Sequence, residues 1–163
     1  MSLTRDQALA QLTAKGQPFE IAETDAIGRR IRAFVNAPRN LRELFAATRS
    51  DKEFLIYEDE RYTFEETWQR AATLANALVN DFGIKKGDRI AVSMRNYPEW
   101  VVSYMAVTSI GAMFVAMNAL WTADEMAYGL TLSEPTIFIA DQERVDRLAS
   151  LTNAPAGFTL IAV

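Results

Sequence analysis

Hydrophobic and polar residues alternate along this chain with two different periods, and the changes of period predict its helices and strands. From Thr63 onward, apolar residues recur every three or four positions, which is the spacing of one helix face. Thr63 and Glu66 are placed as a capping box, and Gly83 suits a C-terminal stop. The pattern predicts an amphipathic helix whose inner face holds Phe64, Trp68, Ala71, Ala75, Leu78 and Phe82.

Beyond this helix, short apolar runs alternate with helical segments. The runs "RIAVSM", "MFVAM", "TIFIA" and "FTLIAV" are compact and partly β-branched, as buried strands are. The segments between them include "TADE", which repeats the capping pattern, and "QERVDRLASL". Strands alternating with helices predict an α/β fold, a layered parallel sheet of βαβ units covered by helices.

One segment, residues 100–121, contains no charge at all. A run of about 20 apolar residues is long enough to cross a bilayer. However, "NYPEW" has the pattern of a helix start, with Asn96 suited to the N-cap and Pro98 to the first turn, and Gly111 suits a stop. We therefore predict a buried helix of about 14 residues, a turn and a strand, and no transmembrane segment.

The N-terminal part has weaker periodicity. The segment "TRDQALAQLTAKG" predicts a helix, "PFEIAET" and "RIRAFV" predict a hairpin, and "NLRELFAAT" predicts a second helix with Asn40 as its N-cap. Two short strands follow in "EFLIYEDERYTF". The predicted division is an extension over residues 1–50 and an incomplete α/β subdomain over residues 51–163. The chain ends on an apolar strand, which indicates the front piece of something larger, part of a multi-subdomain protein, and favours homo-oligomers.

The amino-acid composition excludes several kinds of chemistry for this chain. Apolar residues make up 50% and charged residues 23%, which is typical of a globular domain. There is no cysteine and no histidine, so thiolate and imidazole chemistry are excluded. The net charge of −4 favours no nucleic-acid partner, and the N-terminus lacks a signal pattern, so a cytoplasmic location is expected.

Candidate site residues each have a structural alternative. The carboxylates of Glu58-Asp59-Glu60 and Glu65-Glu66 could serve as acid–base groups or bind Mg²⁺, but a solvated turn and a capped helix start explain them better. Asp141 follows a strand and could accept a phosphoryl group, although an N-cap role is favoured. Trp100, Tyr104 and Met105 are interpreted as core rather than ligand pocket.

Arg144 and Arg147 are one helical turn apart and are expected to project from the last helix, where they could bind a phosphate. The seven glycines are scattered, and no glycine-rich phosphate loop is present. We therefore assign no catalytic residue and no metal ligand to this segment.

Residues 55–150 resemble the N-terminal region of AMP-forming acyl-CoA synthetases, a superfamily that includes adenylation domains and luciferases. The resemblance rests on "YTFEE" opening a helix, "GIKKGDRIAV", "RNYPEW" entering a helix that ends in "IGA", "MFVAMNALWTADEM" and "TIFIAD". It implies a full-length parent that uses ATP, Mg²⁺ and coenzyme A. A fatty or aromatic acid would become an acyl-adenylate and then an acyl-CoA.

The resemblance also implies that the phosphate loop, the adenylate motif, the catalytic lysine and most of the acid site lie in later segments. The 163-residue segment is then an inactive scaffold that binds no cofactor tightly. In the acetate-activating branch, arginines after the equivalent of "TIFIAD" contact coenzyme A, which makes Arg144 and Arg147 candidate phosphate contacts. Two alternatives stay open: part of a different adenylating enzyme, such as a peptide-synthetase adenylation domain, and a free-standing α/β binding module.

Overall fold

The computed structural model describes residues 3–163, which form two compact units, one ending at Arg39 and one running from Asn40 to Val163. The first two residues of the predicted extension lie outside the described residues. The predicted division between residues 50 and 51 stays a prediction, and the helix that begins after Asn40 belongs to the second compact unit.

The first unit contains the helix α1 (Arg5–Leu12) and an antiparallel hairpin of β1 (Ile21–Ala26) and β2 (Arg29–Phe34). The predicted helix and hairpin are thus confirmed. Ile27 and Gly28 connect the strands with φ values of 51° and 70°. Two residues with positive φ are what a tight hairpin turn requires, because that backbone matches the twist of the strands.

The second unit alternates strands and helices as predicted. Its elements are α2 (Leu41–Ala47), β3 (Glu53–Tyr57), β4 (Glu60–Thr63), α3 (Phe64–Asn80), β5 (Arg89–Ser93), α4 (Pro98–Ser109), β6 (Met113–Ala116), α5 (Ala123–Ser133), β7 (Ile137–Ala140), α6 (Gln142–Ala149) and β8 (Thr159–Ala162). β3 and β4 form an antiparallel pair, while β5 to β8 form one parallel sheet in the order β6-β5-β7-β8. The α/β fold with a parallel sheet is therefore confirmed.

The two faces of the sheet bury different helices, because successive strand residues point to opposite sides. Ile137 and Ile139 of β7 pack in one cluster with residues of α3 and α4, including Leu78 and Met105. Phe138 and Ala140 pack in the other cluster with Met126 and Leu130 of α5 and Leu148 of α6. Helices therefore cover both faces, which is why the strands of this sheet are apolar throughout.

Three predicted helix starts are confirmed. Thr63 and Thr122 each form a complete capping box with the glutamate three residues later, and the side chain of Asn40 caps α2. The assignment of Asn96 as the N-cap of α4 is wrong, since that position is Tyr97, which makes no side-chain cap hydrogen bond. Pro98 occupies the first helical position, where proline is favoured, and this shifts the cap to the residue that precedes it.

The uncharged run resolves into two elements. It contains residues 100–109 of the 12-residue helix α4, the turn at Gly111, which has a φ of 79°, and the strand β6. Within residues 3–163, none of the helices combines the length and the hydropathy that a bilayer crossing requires. α3 ends at Asn80, so Phe82 lies past the helix and is 43% exposed, which corrects its assignment to the inner face.

Candidate functional site

The carboxyl edge of the parallel sheet is the candidate functional site. The chain leaves β5 toward β6 on one side, and it leaves β7 toward β8 on the other. Adjacent strands whose connections diverge in this way define the switch point at which open α/β sheets bind ligands. The loops that follow β5, β6 and β7 meet at this edge.

Asp141, the first residue after β7, joins two of these loops. Its Oδ1 accepts a hydrogen bond from the backbone N–H of Arg144 at 3.1 Å, so the predicted N-cap of α6 is confirmed. Its Oδ2 accepts from the backbone N–H of Arg95, which follows β5, at 3.0 Å. Asp141 is 4% exposed and both of its carboxylate oxygens accept hydrogen bonds, so the geometry favours the capping role over a phosphoacceptor role.

Arg144 does not project into solvent, contrary to the expectation from its helix position. Its side chain is fully buried and forms an ion pair with Asp141 at 3.1 Å and with Glu143 at 2.8 Å. Nε and Nη2 donate to the carbonyl oxygen of Ala119, at 2.8 and 2.7 Å. The loop after β6 covers this face of α6, and it is this loop that buries the guanidinium.

Arg147 is bound to the same loop but keeps some solvent exposure, since 25% of its side chain is accessible. Its Nη1 donates to the carbonyl oxygens of Ala119 and Trp121, and its Nη2 donates to Oε1 of Glu143 at 2.6 Å. Both predicted site arginines thus lie at the carboxyl edge and hold the loop between β6 and α5. Their contact with a coenzyme A phosphate stays a prediction.

Two recesses flank the loop that follows β5. The larger has a volume of about 550 Å³ and lies between this loop and the residues after β6; Arg95, Asn96, Trp100, Asn118 and Leu120 are among its lining residues. The smaller, of about 310 Å³, shares Arg95 and Asn96 and adds Tyr57, Tyr97 and Glu143. The edge therefore offers both polar and aromatic surface to a ligand.

The aromatic residues of α4 combine core and pocket roles. Met105 is 5% exposed and belongs to the core, as interpreted from the sequence. Trp100 and Tyr104 are half-buried and stacked with their ring centroids 5.8 Å apart. Because Trp100 also lines the 550 Å³ recess, its assignment to the core alone is incomplete.

The other candidate carboxylates have structural partners. Glu66 completes the capping box of α3, and Glu65 forms a hydrogen-bonded ion pair with Arg49 at 2.7 Å. Glu58 and Asp59 form the turn between β3 and β4. Residues 3–163 contain no group of three carboxylates placed to hold a metal ion. The use of Mg²⁺ by the full-length parent, which the resemblance implies, stays a prediction.

The ion pair of Glu65 with Arg49 predicts an acid-sensitive contribution to stability. Hydrogen bonds from Arg49 and then Gln69 lower the pKa of Glu65 from its ordinary value of 4.5 to about 2. A lowered folded-state pKa stabilises the fold above pH 4.5, and this contribution is lost as the pH falls toward 2. We expect E65Q to lose less unfolding free energy than the unmodified protein between these pH values in urea titrations. Equal losses for the two proteins would contradict this role of Glu65.

Sequence patterns missed several residues of this edge. Ser93 is the last residue of β5, its side chain is completely buried, and its Oγ has no partner among the described residues. Arg95 and Asn118 line the larger recess; they lie within "RNYPEW" and "MFVAMNALWTADEM", but neither was singled out as a site residue. Their position directly after strands was the available signal, but only the strand order shows that β5 and β7 flank the switch point.

Comparison with known proteins gives the family. Residues 43–161 match the family model described as AMP-binding enzyme. A long-chain-fatty-acid–CoA ligase of Bacillus subtilis is 34% identical over 94 residues, which is 58% of this chain and 17% of the relative. Long-chain fatty acid transport protein 6 of Mus musculus is 31% identical over 88 residues, or 54% of this chain and 14% of the relative. The chain thus spans less than a fifth of these curated relatives.

Solved structures agree with this result. A benzoate CoA ligase from Burkholderia xenovorans superimposes with a TM-score of 0.67 and 28% sequence identity, over 76% of this chain and 26% of the ligase. The matched range contains β3 to β7 and most of β8, that is, the whole switch point. The chain belongs to the AMP-binding enzyme family.

Proposed function

We propose that this chain is part of an ATP-dependent, AMP-forming acid–CoA ligase. In the proposed reaction, a carboxylate attacks the α-phosphate of ATP, which gives an acyl-adenylate and pyrophosphate, and the thiol of coenzyme A then displaces AMP. The observation that carries the proposal is the family match over residues 43–161, supported by relatives named as CoA ligases. We infer a fatty or aromatic acid as the substrate, since relatives of both kinds occur.

The residues of this chain would supply a scaffold rather than the reacting groups. The parallel sheet, covered on both faces, holds the three loops of the carboxyl edge in register. No glycine-rich phosphate loop occurs in the sequence, so nucleotide phosphates and Mg²⁺ would be held by other parts of the protein. Arg144 and Arg147 are proposed contacts for a coenzyme A phosphate; Arg147 is the better placed, because its guanidinium is not fully buried.

Pyrophosphate exchange tests this function. The full-length gene product should exchange labelled pyrophosphate into ATP only when an acid substrate is present, and it should form a thioester when coenzyme A is added. A panel of fatty and aromatic acids identifies the substrate class. The 163-residue chain alone should show no exchange. Absence of exchange by the full-length protein with every acid would contradict the proposal, and turnover by the short chain would contradict the scaffold role.

A further inference from the structure

We propose that Arg95 binds the anionic group of a ligand, a phosphate or a carboxylate carried on an apolar or aromatic body, in the 550 Å³ recess at the carboxyl edge. The proposal deepens the proposed function by naming a ligand contact, and it rests on that function for the identity of the ligand. Helix periodicity does not mark this residue, and the motif "RNYPEW", which begins with it, indicates only a helix start.

The position of Arg95 is fixed by the fold. Its backbone N–H donates to the buried carboxylate of Asp141 at 3.0 Å, and Asp141 is held in turn by Arg144. The backbone of Arg95 is therefore anchored at the switch point between β5 and β7, while its side chain remains exposed. An anchored backbone with an accessible guanidinium is suited to binding, because little further ordering of the chain is needed.

The guanidinium of Arg95 is available, whereas those of its neighbours are engaged. Arg144 and Arg147 donate to carbonyl oxygens of the loop after β6 and to carboxylates. In the part of the chain that the structure describes, the side chain of Arg95 makes no hydrogen bond or ion pair. An anion that binds Arg95 displaces only water, while one that binds Arg144 must break buried, charge-assisted hydrogen bonds.

The lining of the recess suits an amphipathic anion. Asn96 and Asn118 place amide groups beside Arg95, and Oδ1 of Asn118 accepts from the backbone N–H of Leu120 at 2.9 Å. The amide nitrogen of Asn118 is a donor, and it makes no hydrogen bond within the described residues. Trp100 and Leu120 supply the apolar surface. A recess of this volume, which combines apolar surface with polar groups, is within the size range of small-molecule sites.

The competing carboxylate in this region is already engaged. Glu143 lines the smaller recess together with Arg95. Its Oε1 accepts from Arg147 at 2.6 Å and its Oε2 accepts from Arg144 at 2.8 Å. Because both oxygens are used, Glu143 holds the two structural arginines, and the positive charge of Arg95 remains for a ligand.

Titration of the 163-residue chain with two probes tests the proposal. ADP tests a phosphate, octanoate tests a carboxylate, and quenching of Trp100 fluorescence reports binding, with W100F identifying the signal. We expect millimolar binding of at least one probe and a loss of about tenfold or more in R95Q, since one charge-assisted contact is removed. The probe whose affinity falls identifies the source of the anion.

Two control variants separate this site from a general charge effect. K85Q removes one positive charge from the loop before β5, at the opposite edge of the sheet, and should bind as the unmodified chain does. K86Q removes a second positive charge from the same loop and should likewise leave binding unchanged. Unchanged binding in R95Q, an equal loss in K85Q or K86Q, or no binding of either probe would overturn the assignment.

The binding test of Arg95 and the activity test of the proposed function can fail independently of each other. Loss of probe binding in R95Q, combined with a full-length protein that has no ligase activity, would support the site and contradict the proposed reaction. Ligase activity in the full-length protein, combined with unchanged probe binding in R95Q, would support the reaction and contradict the site. Equal urea midpoints for R95Q and the unmodified chain show that the variant is folded.

Discussion

Replacement of Arg144 by methionine is expected to lower the free energy of unfolding by about 3–5 kcal/mol, because a buried ion pair loses one partner. The change leaves the carboxylate of Asp141 buried without its guanidinium. It also removes two of the donors to the carbonyl oxygen of Ala119. Methionine retains most of the apolar stem of arginine, so the loss reports the polar contacts rather than a cavity. Urea unfolding of R144M and the unmodified chain measures this decrease in unfolding free energy.

R147M is the matched control, since Arg147 lies one turn away and contacts the same loop. Its side chain is 25% exposed, so water can replace part of the lost hydrogen bonds. We expect the free energy of unfolding to fall by about 1 kcal/mol. The double variant D141N/R144M should lose less unfolding free energy than D141N and R144M lose in sum, because both partners of the ion pair are removed together. Equal losses for R144M and R147M would show that burial does not set the strength of these contacts.

Replacement of Phe138 by alanine is expected to cost about 3–5 kcal/mol through the cavity that it leaves. Phe138 is fully buried at the centre of β7, and its ring meets that of Phe158 edge-on with centroids 5.7 Å apart. The cluster that contains it joins the sheet to α5 and α6. The loss should appear as a lower urea midpoint with an unchanged slope, provided that the variant keeps the fold.

Leu160 provides a control in the same register of the sheet. It pairs with Phe138 across β7 and β8, but it is 42% exposed. We expect L160A to cost about 1 kcal/mol or less, because much of its apolar surface remains in water in the folded state. If L160A lowered the unfolding free energy as much as F138A does, β8 would contribute to the core as strongly as β7.

The residues replaced in R144M and F138A also support the recess in which we propose that a ligand binds. Arg144 stabilises the loop after β6, which forms one wall of the 550 Å³ recess, while Phe138 supports the sheet beneath it. R144M should therefore weaken probe binding at Arg95 as well as stability, since Asp141 anchors the backbone of Arg95. The recess is formed by loops that the sheet holds together, as is usual for sites at a switch point.

Much of the fold could be predicted because its signals are local. The capping boxes at Thr63 and Thr122 and the stop at Gly111 each depend on a few neighbouring residues, and all of them are present. The single failure among the predicted caps, Asn96, arose where two local preferences compete. Asparagine favours the N-cap, but proline at the first helical position places the cap at Tyr97.

The amino-acid sequence by itself determined the α/β class and the order of the elements, because hydrophobic period and capping act over a few residues. The family was indicated separately, by the resemblance of its motifs. Only the tertiary structure decided which polar side chains meet. Asp141 contacts Arg95, 46 positions away, and Arg144 contacts Ala119, 25 positions away. Helix periodicity places Arg144 on a face of α6, but the loop after β6 buries that face. The candidate site at the carboxyl edge therefore depends on the order of the strands in the sheet, which no local pattern encodes.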